Sequence, residues 1–399
     1  MDIAGLIADL DQHLAEADAA LGAAFPGDRE GRQPVHTVYV PADRFTAQTV
    51  HDYGRAAQAT VISGATDFLD VIGGDEDLFD RVLRKLDEEP IEDLRIDFED
   101  GYGVRSDDEE DTAARSAAAA LREALDAGVA SPFSGIRFKS LESETRARGI
   151  RTLATFLEAL GELPDGFVVT LPKVTSVAQV EGMVLIAERL EPAPDTLRFE
   201  IQVETPQAVV GPDGTALVAR MIHAAAGRCT ALHYGTYDYS ASVGIAAAHQ
   251  SLEHPAADHA KAVMQAAAAG TGVRLADGST NRIPVGDAAA VREAWALHHR
   301  LVTRSLERGF YQGWDLHPAQ LPTRYAATFG FYRDGQAGAG RRLRDYLGRQ
   351  SSGVVDEPAT ARSLAGYLLR GHECGALSAG DLRAATGLDV ANIRKQAGR

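Results

Sequence analysis

The sequence predicts a (β/α)8 barrel with an N-terminal helix and a C-terminal helical appendage, and three observations lead there. Eight strand-like apolar runs alternate with helical stretches between residues 36 and 317, the order of a mainly parallel sheet covered by helices. Several of those runs carry charge on one face and grease on the other, as staves with a polar barrel interior do. After Pro322 the strand signal stops and only helical periodicity continues. The chain therefore divides into an N-terminal segment 1–34, a barrel 35–322 and a helical lid or oligomerisation segment 323–399.

The N-terminal segment places Leu6, Ile7, Leu10, Leu14 and Leu21 at helical spacing, interrupted by Asp2, Asp9 and Asp11. No basic residue precedes it, so it reads as neither a signal peptide nor a membrane span, but as an amphipathic helix packed on the main body. The strands follow as His36–Pro41, Leu94–Asp100, Gly135–Lys139, Gly166–Leu171, Leu197–Glu204, Thr230–Tyr234, Val273–Asp277 and Gly313–His317. In the fifth, Leu197, Phe199, Ile201 and Val203 alternate with Arg198, Glu200, Gln202 and Glu204, the side-chain period of a strand. Arg95, Asp97 and Glu99 share one face of the second strand, and Arg137 and Lys139 one face of the third. These polar faces are expected to point inward, where charges must pair. Between the strands, Thr112–Ala127, Arg148–Leu160, Ser176–Leu190, Ala216–Ala226, Ala256–Ala269 and Ala288–Arg308 repeat apolar residues at three and four, as amphipathic helices require. The tail reads as helices Tyr325–Gln350, Pro358–Arg370 and Ser378–Ala385.

Bulk properties narrow the function. With 57 acidic and 40 basic residues among 399, the formal net charge is −17. A nucleic-acid or anionic-membrane partner needs a basic footprint, which this chain lacks. Arg341, Arg342 and Arg344 are interleaved with Leu343 and Asp345 and read as a helix face. Two cysteines, Cys229 and Cys374, stand far apart in no C-x-x-C pattern, which points away from a disulfide scaffold and toward a reducing cytoplasm.

The chemistry gathers at strand ends. Glu204 closes the fifth strand and Asp238 follows the sixth. Two hard oxygen donors from neighbouring strands, with coordination positions left open, suit a catalytic Mg²⁺; a salt bridge to a barrel arginine is the competing account. His249, His254 and His259 are five apart, which turns successive side chains around a helix and defeats a shared metal. No P-loop, no G-x-G-x-x-G opening a helix and no G-x-S-x-G occurs.

Seven short motifs fall in order on these strand ends: Tyr39-Val40-Pro41, Asp97-Phe98-Glu99-Asp100, Gly135-Ile136-Arg137, Leu171-Pro172-Lys173, Val203-Glu204-Thr205-Pro206, Tyr234-Gly235-Thr236-Tyr237-Asp238 and Leu316-His317-Pro318-Ala319-Gln320. Over residues 36–322 the sequence resembles the superfamily of the citrate lyase β subunit, malyl-CoA lyase and the HpcH/HpaI-type class II aldolases. The resemblance implies a (β/α)8 barrel and a divalent metal, Mg²⁺ or Mn²⁺, held by Glu204 and Asp238. It implies that Arg137 contacts the substrate's carboxylate and enolate oxygen, that the Gln202 amide binds the oxo acid, and that Glu99 and Asp100 hold metal-bound water or orient the arginine. Lys173 is a phosphate or carboxylate contact, or a structural lysine. Gly353-Val354-Val355-Asp356-Glu357-Pro358 resembles the lid segment whose aspartate transfers a proton in a neighbouring subunit's site, making Asp356 the acid/base; a solvated N-cap is the competing account. His317 is expected to cap the barrel; His233, a polar residue within the sixth strand, is either a proton carrier or simply hydrogen-bonded.

The expected activity is a Mg²⁺-dependent carbon–carbon lyase or aldolase acting on a small 2-oxo or hydroxy acid through a metal-stabilised enolate, in a homo-oligomer, trimer or hexamer. The relatives include users of acyl-CoA thioesters. Here, however, eight carboxylates between Asp97 and Asp111 face the single Arg105, which is unfriendly to the phosphates of CoA. Asp107–Asp111 also suit a helix start, where negative charge complements the macrodipole. Phosphoenolpyruvate chemistry in a similar barrel and a non-catalytic ligand-binding relative are the alternatives.

Overall fold

Eight parallel strands form one sheet that curls into a barrel: β1 (His36–Pro41), β2 (Asp93–Asp97), β3 (Phe133–Arg137), β4 (Phe167–Leu171), β5 (Arg198–Val203), β6 (Cys229–Tyr234), β7 (Arg274–Ala276) and β8 (Gly313–Asp315). They appear in a computed structural model that describes residues 2–348 and 357–398. Strand order is β7-β6-β5-β4-β3-β2-β1-β8. The edges β7 and β8 meet through a bridge from Ala276 to Gln312, and the Asp277 amide donates to the Gln312 carbonyl at 2.8 Å. All eight expected strands form. Those expected to run through Asp100 and Lys139 end earlier, at Asp97 and Arg137. At β2 the reason is local: the Asp97 carboxylate accepts the N–H groups of Glu99 and Gly101 and folds the chain away from the sheet.

Before the barrel stands α1 (Ile3–Ala24). Between β1 and β2 lie α2 (Thr49–Ser63), α3 (Ala65–Val71) and α4 (Glu76–Glu88), three helices absent from the stretches named from periodicity. Then follow α5 (Asp107–Asp126), α6 (Arg146–Leu160), α7 (Val177–Leu190), α8 (Pro206–Val209), α9 (Leu217–Ala224), α10 (Thr236–Ser242), α11 (Pro255–Ala268) and α12 (Ala288–Glu307). The acidic run is indeed a helix start. Ser106 caps α5 in a reciprocal box with Glu109, and Arg148 and Arg151 close on Asp111, so the helix begins five residues before the expected Thr112. After β8, a single 3₁₀ turn leads into α13 (Leu321–Leu347), then α14 (Pro358–Glu373), α15 (Ala379–Thr386) and α16 (Val390–Gln396), the last not foreseen.

The greasy strand faces meet the helices: Ile96, Ile136, Val169, Phe199 and Ile201 are fully buried. Inside the barrel, Arg95 donates to both oxygens of Glu200 at 3.1 and 2.9 Å and pairs with Asp93. Glu200 also lies 3.0 Å from His233 Nε2, while His233 Nδ1 accepts from the Trp314 indole at 3.0 Å. Interior charges are thus paired, as desolvation demands. Two expected inward residues depart. Arg198 is partly exposed at the barrel base and donates to the Gly227 carbonyl. Lys139 bonds the Phe98 carbonyl and Glu110 of α5, because β3 has already ended.

The N-terminal helix does not pack on the body as expected: none of its residues is buried. Its C-terminal end is anchored by Phe25, whose ring meets His223 edge-on at 5.6 Å. Cys229 and Cys374 are buried free thiols. Among the described residues, no helix is long and apolar enough to cross a membrane.

Candidate active site

The C-terminal strand ends open into a cavity of about 670 Å³, bordered by Tyr39, Asp97, Asp100, Arg137, Tyr237, Trp314 and His317. A second cavity, of about 410 Å³, opens at the opposite end of the barrel beside Arg29 and Arg198. Of the residues singled out from the sequence, Asp100, Arg137 and His317 line the first; Glu204 and Asp238 do not line it but stand at the same C-terminal strand ends, where barrels assemble chemistry.

Arg137, the last residue of β3, is buried and held from three sides. Its Nε and Nη2 donate to the two oxygens of Asp97 at 2.7 and 2.8 Å. Its guanidinium stacks on the Tyr39 ring, 4.7 Å from the centroid, and that ring packs against Trp314. Nη1 reaches the Gln202 carbonyl oxygen at 3.4 Å and Glu99 Oε2 at 3.4 Å. Pairing with Asp97 and Glu99, the structural account of this arginine, is therefore present, and it leaves Nη1 the least committed corner of the fork.

Gln202 and Glu204 lie two residues apart at the end of β5, on one face. The Gln202 amide donates to Glu204 Oε2, and the backbone N–H of Lys173 donates to Oε1 at 2.8 Å. Gly235 lies so close that a methyl group there would stand 2.4 Å from the Glu204 Cβ and 2.5 Å from Oε2; only glycine leaves the carboxylate its place. Burial pushes the Glu204 carboxyl up to about 7, with the Asp238 and Glu99 charges adding to the shift and Lys173 and Arg137 opposing it.

Lys173 occupies the centre. Its φ of 52° is a left-handed conformation unusual for a side chain with a Cβ and costs about 1–2 kcal/mol. The bend sends its ammonium among the carboxylates: paired with Glu99, 3.1 Å from Asp100 and 3.0 Å from Asp238. Glu99 is raised by burial despite Arg137 and Lys173, whereas in half-exposed Asp100 the same two cations outweigh burial and hold it low. Asp238 sits in the first turn of α10, its side chain 41 % exposed. Asp97, Glu99, Asp100, Glu204 and Asp238 thus set five carboxyl groups against two cations, Arg137 and Lys173.

Arg137, Gln202, Lys173, Glu204, Asp238, Glu99 and Asp100 all come together here. Asp356 lies outside the described residues. His317 caps the 3₁₀ turn as expected, its ring accepting the Ala319 N–H, and His233 is hydrogen-bonded within the interior network. Sequence reasoning missed the Tyr39–Trp314 platform beneath Arg137. It also missed the role of Gly235, although Tyr39 and Gly235 both stood within the quoted motifs.

Among the described residues no group of three or more His, Cys, Asp or Glu side chains is placed to hold a metal ion together. A cage made wholly of protein ligands is therefore not present. A site with Glu204 and Asp238 as its protein ligands fits Mg²⁺, which binds through one or two carboxylates and keeps water or substrate oxygens.

A family model described as a domain of unknown function, DUF6986, matches residues 14–399. No curated protein matches the chain. Among solved structures, the CitE protein of Mycobacterium tuberculosis in complex with magnesium, acetoacetate and coenzyme A is similar at 17 % identity and a TM-score of 0.51, covering 86 % of this chain and 99 % of that one. The malate synthase of Haloferax volcanii in a magnesium and glyoxylate complex is similar at 13 % identity and a TM-score of 0.51, covering 92 % and 99 %. At such identities the likeness establishes a shared barrel fold.

Proposed function

The chain belongs to the DUF6986 family, and on that footing we propose that it is a divalent-metal-dependent carbon–carbon lyase acting on a small 2-oxo or hydroxy acid. The observation that carries the reading is Glu204. It is buried, raised to about 7, aimed by two donors, and set beside Asp238 in a cluster with more carboxylates than cations. That is a carboxylate in want of a cation, at the end of the barrel where substrates enter. The similar barrels described with magnesium and a small oxo acid support the same reading.

Glu204 and Asp238 would hold Mg²⁺ (or Mn²⁺), which supplies a Lewis acid for the negative charge that develops on the oxo acid. Arg137, its other donors fixed by Asp97, offers Nη1 to the substrate carboxylate. Gln202 orients the oxo group, its own amide locked by Glu204. Lys173 delivers a second positive charge to an anionic substrate, with Glu99 and Asp100 keeping it and Arg137 in place. In the reaction class proposed, the 4-hydroxyl of a 4-hydroxy-2-oxo acid gives its proton to the Asp356 carboxylate and becomes the carbonyl of the departing aldehyde or oxo acid. The C3–C4 bond breaks with its electron pair passing toward the 2-oxo group, and Asp356 returns the proton to C3. The acidic surroundings favour free acids over CoA thioesters.

The test is release of pyruvate or glyoxylate from a panel of 4-hydroxy-2-oxo acids and malyl thioesters, with Mg²⁺ and with EDTA. Turnover that disappears with EDTA and with Glu204→Ala supports the reading. A Glu204→Ala protein that keeps both metal binding and turnover refutes it.

A further inference from the structure

The helix α1 runs for 22 residues without one buried side chain, although Ile7, Leu10, Leu14 and Leu21 are 45–61 % exposed. Leu6 and Ala20 widen its apolar face on one side, but a narrower seam runs unbroken through it. Ile3, Ile7, Leu10, Leu14, Ala17, Leu21 and Ala24 are separated alternately by four and three residues without a break. That is a 3.5-residue repeat, the seam of a coiled coil, with Ile7, Leu14 and Leu21 at the a positions. Helices in proteins draw most of their stability from packing an apolar face, and this one packs none on the barrel, so the seam calls for a second helix.

The charges say which one. Flanking the seam, the e positions hold Asp11 and Asp18, whereas the g positions hold Leu6, His13 and Ala20. In a parallel pair, each g residue meets the partner's e residue five places on. His13 then faces the partner's Asp18 and Leu6 faces the partner's Asp11, so no acid opposes an acid. An antiparallel pair sets e against e and drives the aspartates together. A basic foreign helix would be matched by acid on both flanks, and only one flank has it. We infer that α1 is a self-association element, forming a parallel, in-register coiled coil with α1 of a second copy of this chain. The inference does not depend on the activity proposed above.

Sedimentation equilibrium of the full chain, 42.5 kDa per copy, tests it. The Ile7→Asp/Leu14→Asp variant should have half the wild-type assembly mass. Its thermal midpoint should be unchanged, because α1 buries nothing in the body. Ala24→Cys, at a d position near one end of the seam, should form an interchain disulfide on mild oxidation, since only a parallel pair brings the two copies of residue 24 together; the native cysteines are buried. Equal masses for wild type and variant, no crosslink through residue 24, or a chain that stays monomeric and instead binds a lysine-rich helical peptide would each overturn it.

Discussion

The main-chain N–H of Lys173 holds the carboxylate of Glu204 at 2.8 Å, while the side chain of the same lysine turns to Asp238 at 3.0 Å. One residue thus fixes one of the two proposed metal ligands through its backbone and neutralises the other through its ammonium. The left-handed backbone at Lys173 is the geometry that allows both.

Replacing Lys173 by Met keeps the backbone donor and removes the charge. Glu99, Asp100, Glu204 and Asp238 then repel one another in the metal-free protein. The melting temperature should fall without divalent ions, and saturating Mg²⁺ should raise it by more than in the wild type. Thermal melts with Mg²⁺ and with EDTA check this; equal increments in both proteins would count against the tethered-cation role of Lys173.

The raised carboxyl of Glu204 makes stability depend on pH in a definite direction. An ordinary glutamate ionises near 4.5, and this one near 7 in the folded protein. Its favourable contribution is complete below 4.5, where both states are protonated, and is lost as pH climbs through the window to about 7. The loss is roughly 3 kcal/mol. Urea unfolding in EDTA should show that decline between pH 4.5 and 7, and Glu204→Gln should flatten it.

Arg137→Lys retains the charge but cannot span both oxygens of Asp97 or stack flat on Tyr39. Loss of a buried partner of this kind costs about 3–5 kcal/mol when the pair is broken completely, as in Arg137→Ala. The lysine variant should lie between that and wild type in urea melts, with turnover reduced about 100-fold or more. A lysine variant as active as wild type would remove Arg137 from substrate binding.

Gly235→Ala puts a methyl group against Glu204. The carboxylate must move or the β6–α10 turn must shift, so Mg²⁺ affinity measured by calorimetry should drop about tenfold or more. Gly182→Ala is the control, because no atom lies within 4 Å of a methyl group there and its backbone lies within helix α7.

Much of the fold was legible because its period is strong. Alternation in Leu197–Glu204 and the recurring polar faces gave eight staves and their order. Helices α2 to α4 were not named, since turns at Gly64 and around Gly73-Gly74 break the region into short pieces with little sustained period. The packing of α1 was misjudged because a periodic apolar face shows that a helix needs a partner and does not say which one. In the site, Glu204, Asp238, Arg137 and Gln202 could be picked out by residue type at strand ends. The Tyr39 and Trp314 rings could not, because they meet only when β1 and β8 pair. The bend at Lys173 was equally hidden: its backbone angle is imposed by what its two ends must reach.

The barrel is not equally firm all the way round. Glu99, Arg137, Lys173, Glu204 and Asp238 are delivered by five consecutive strands, β2 to β6, each zipped to its neighbours by three or more registered pairs. The gap between β7 and β8, two three-residue strands joined by a single bridge, lies on the far side. The side chains of the candidate site therefore hang from the continuous arc of the sheet, and the closure that completes the ring stands opposite them.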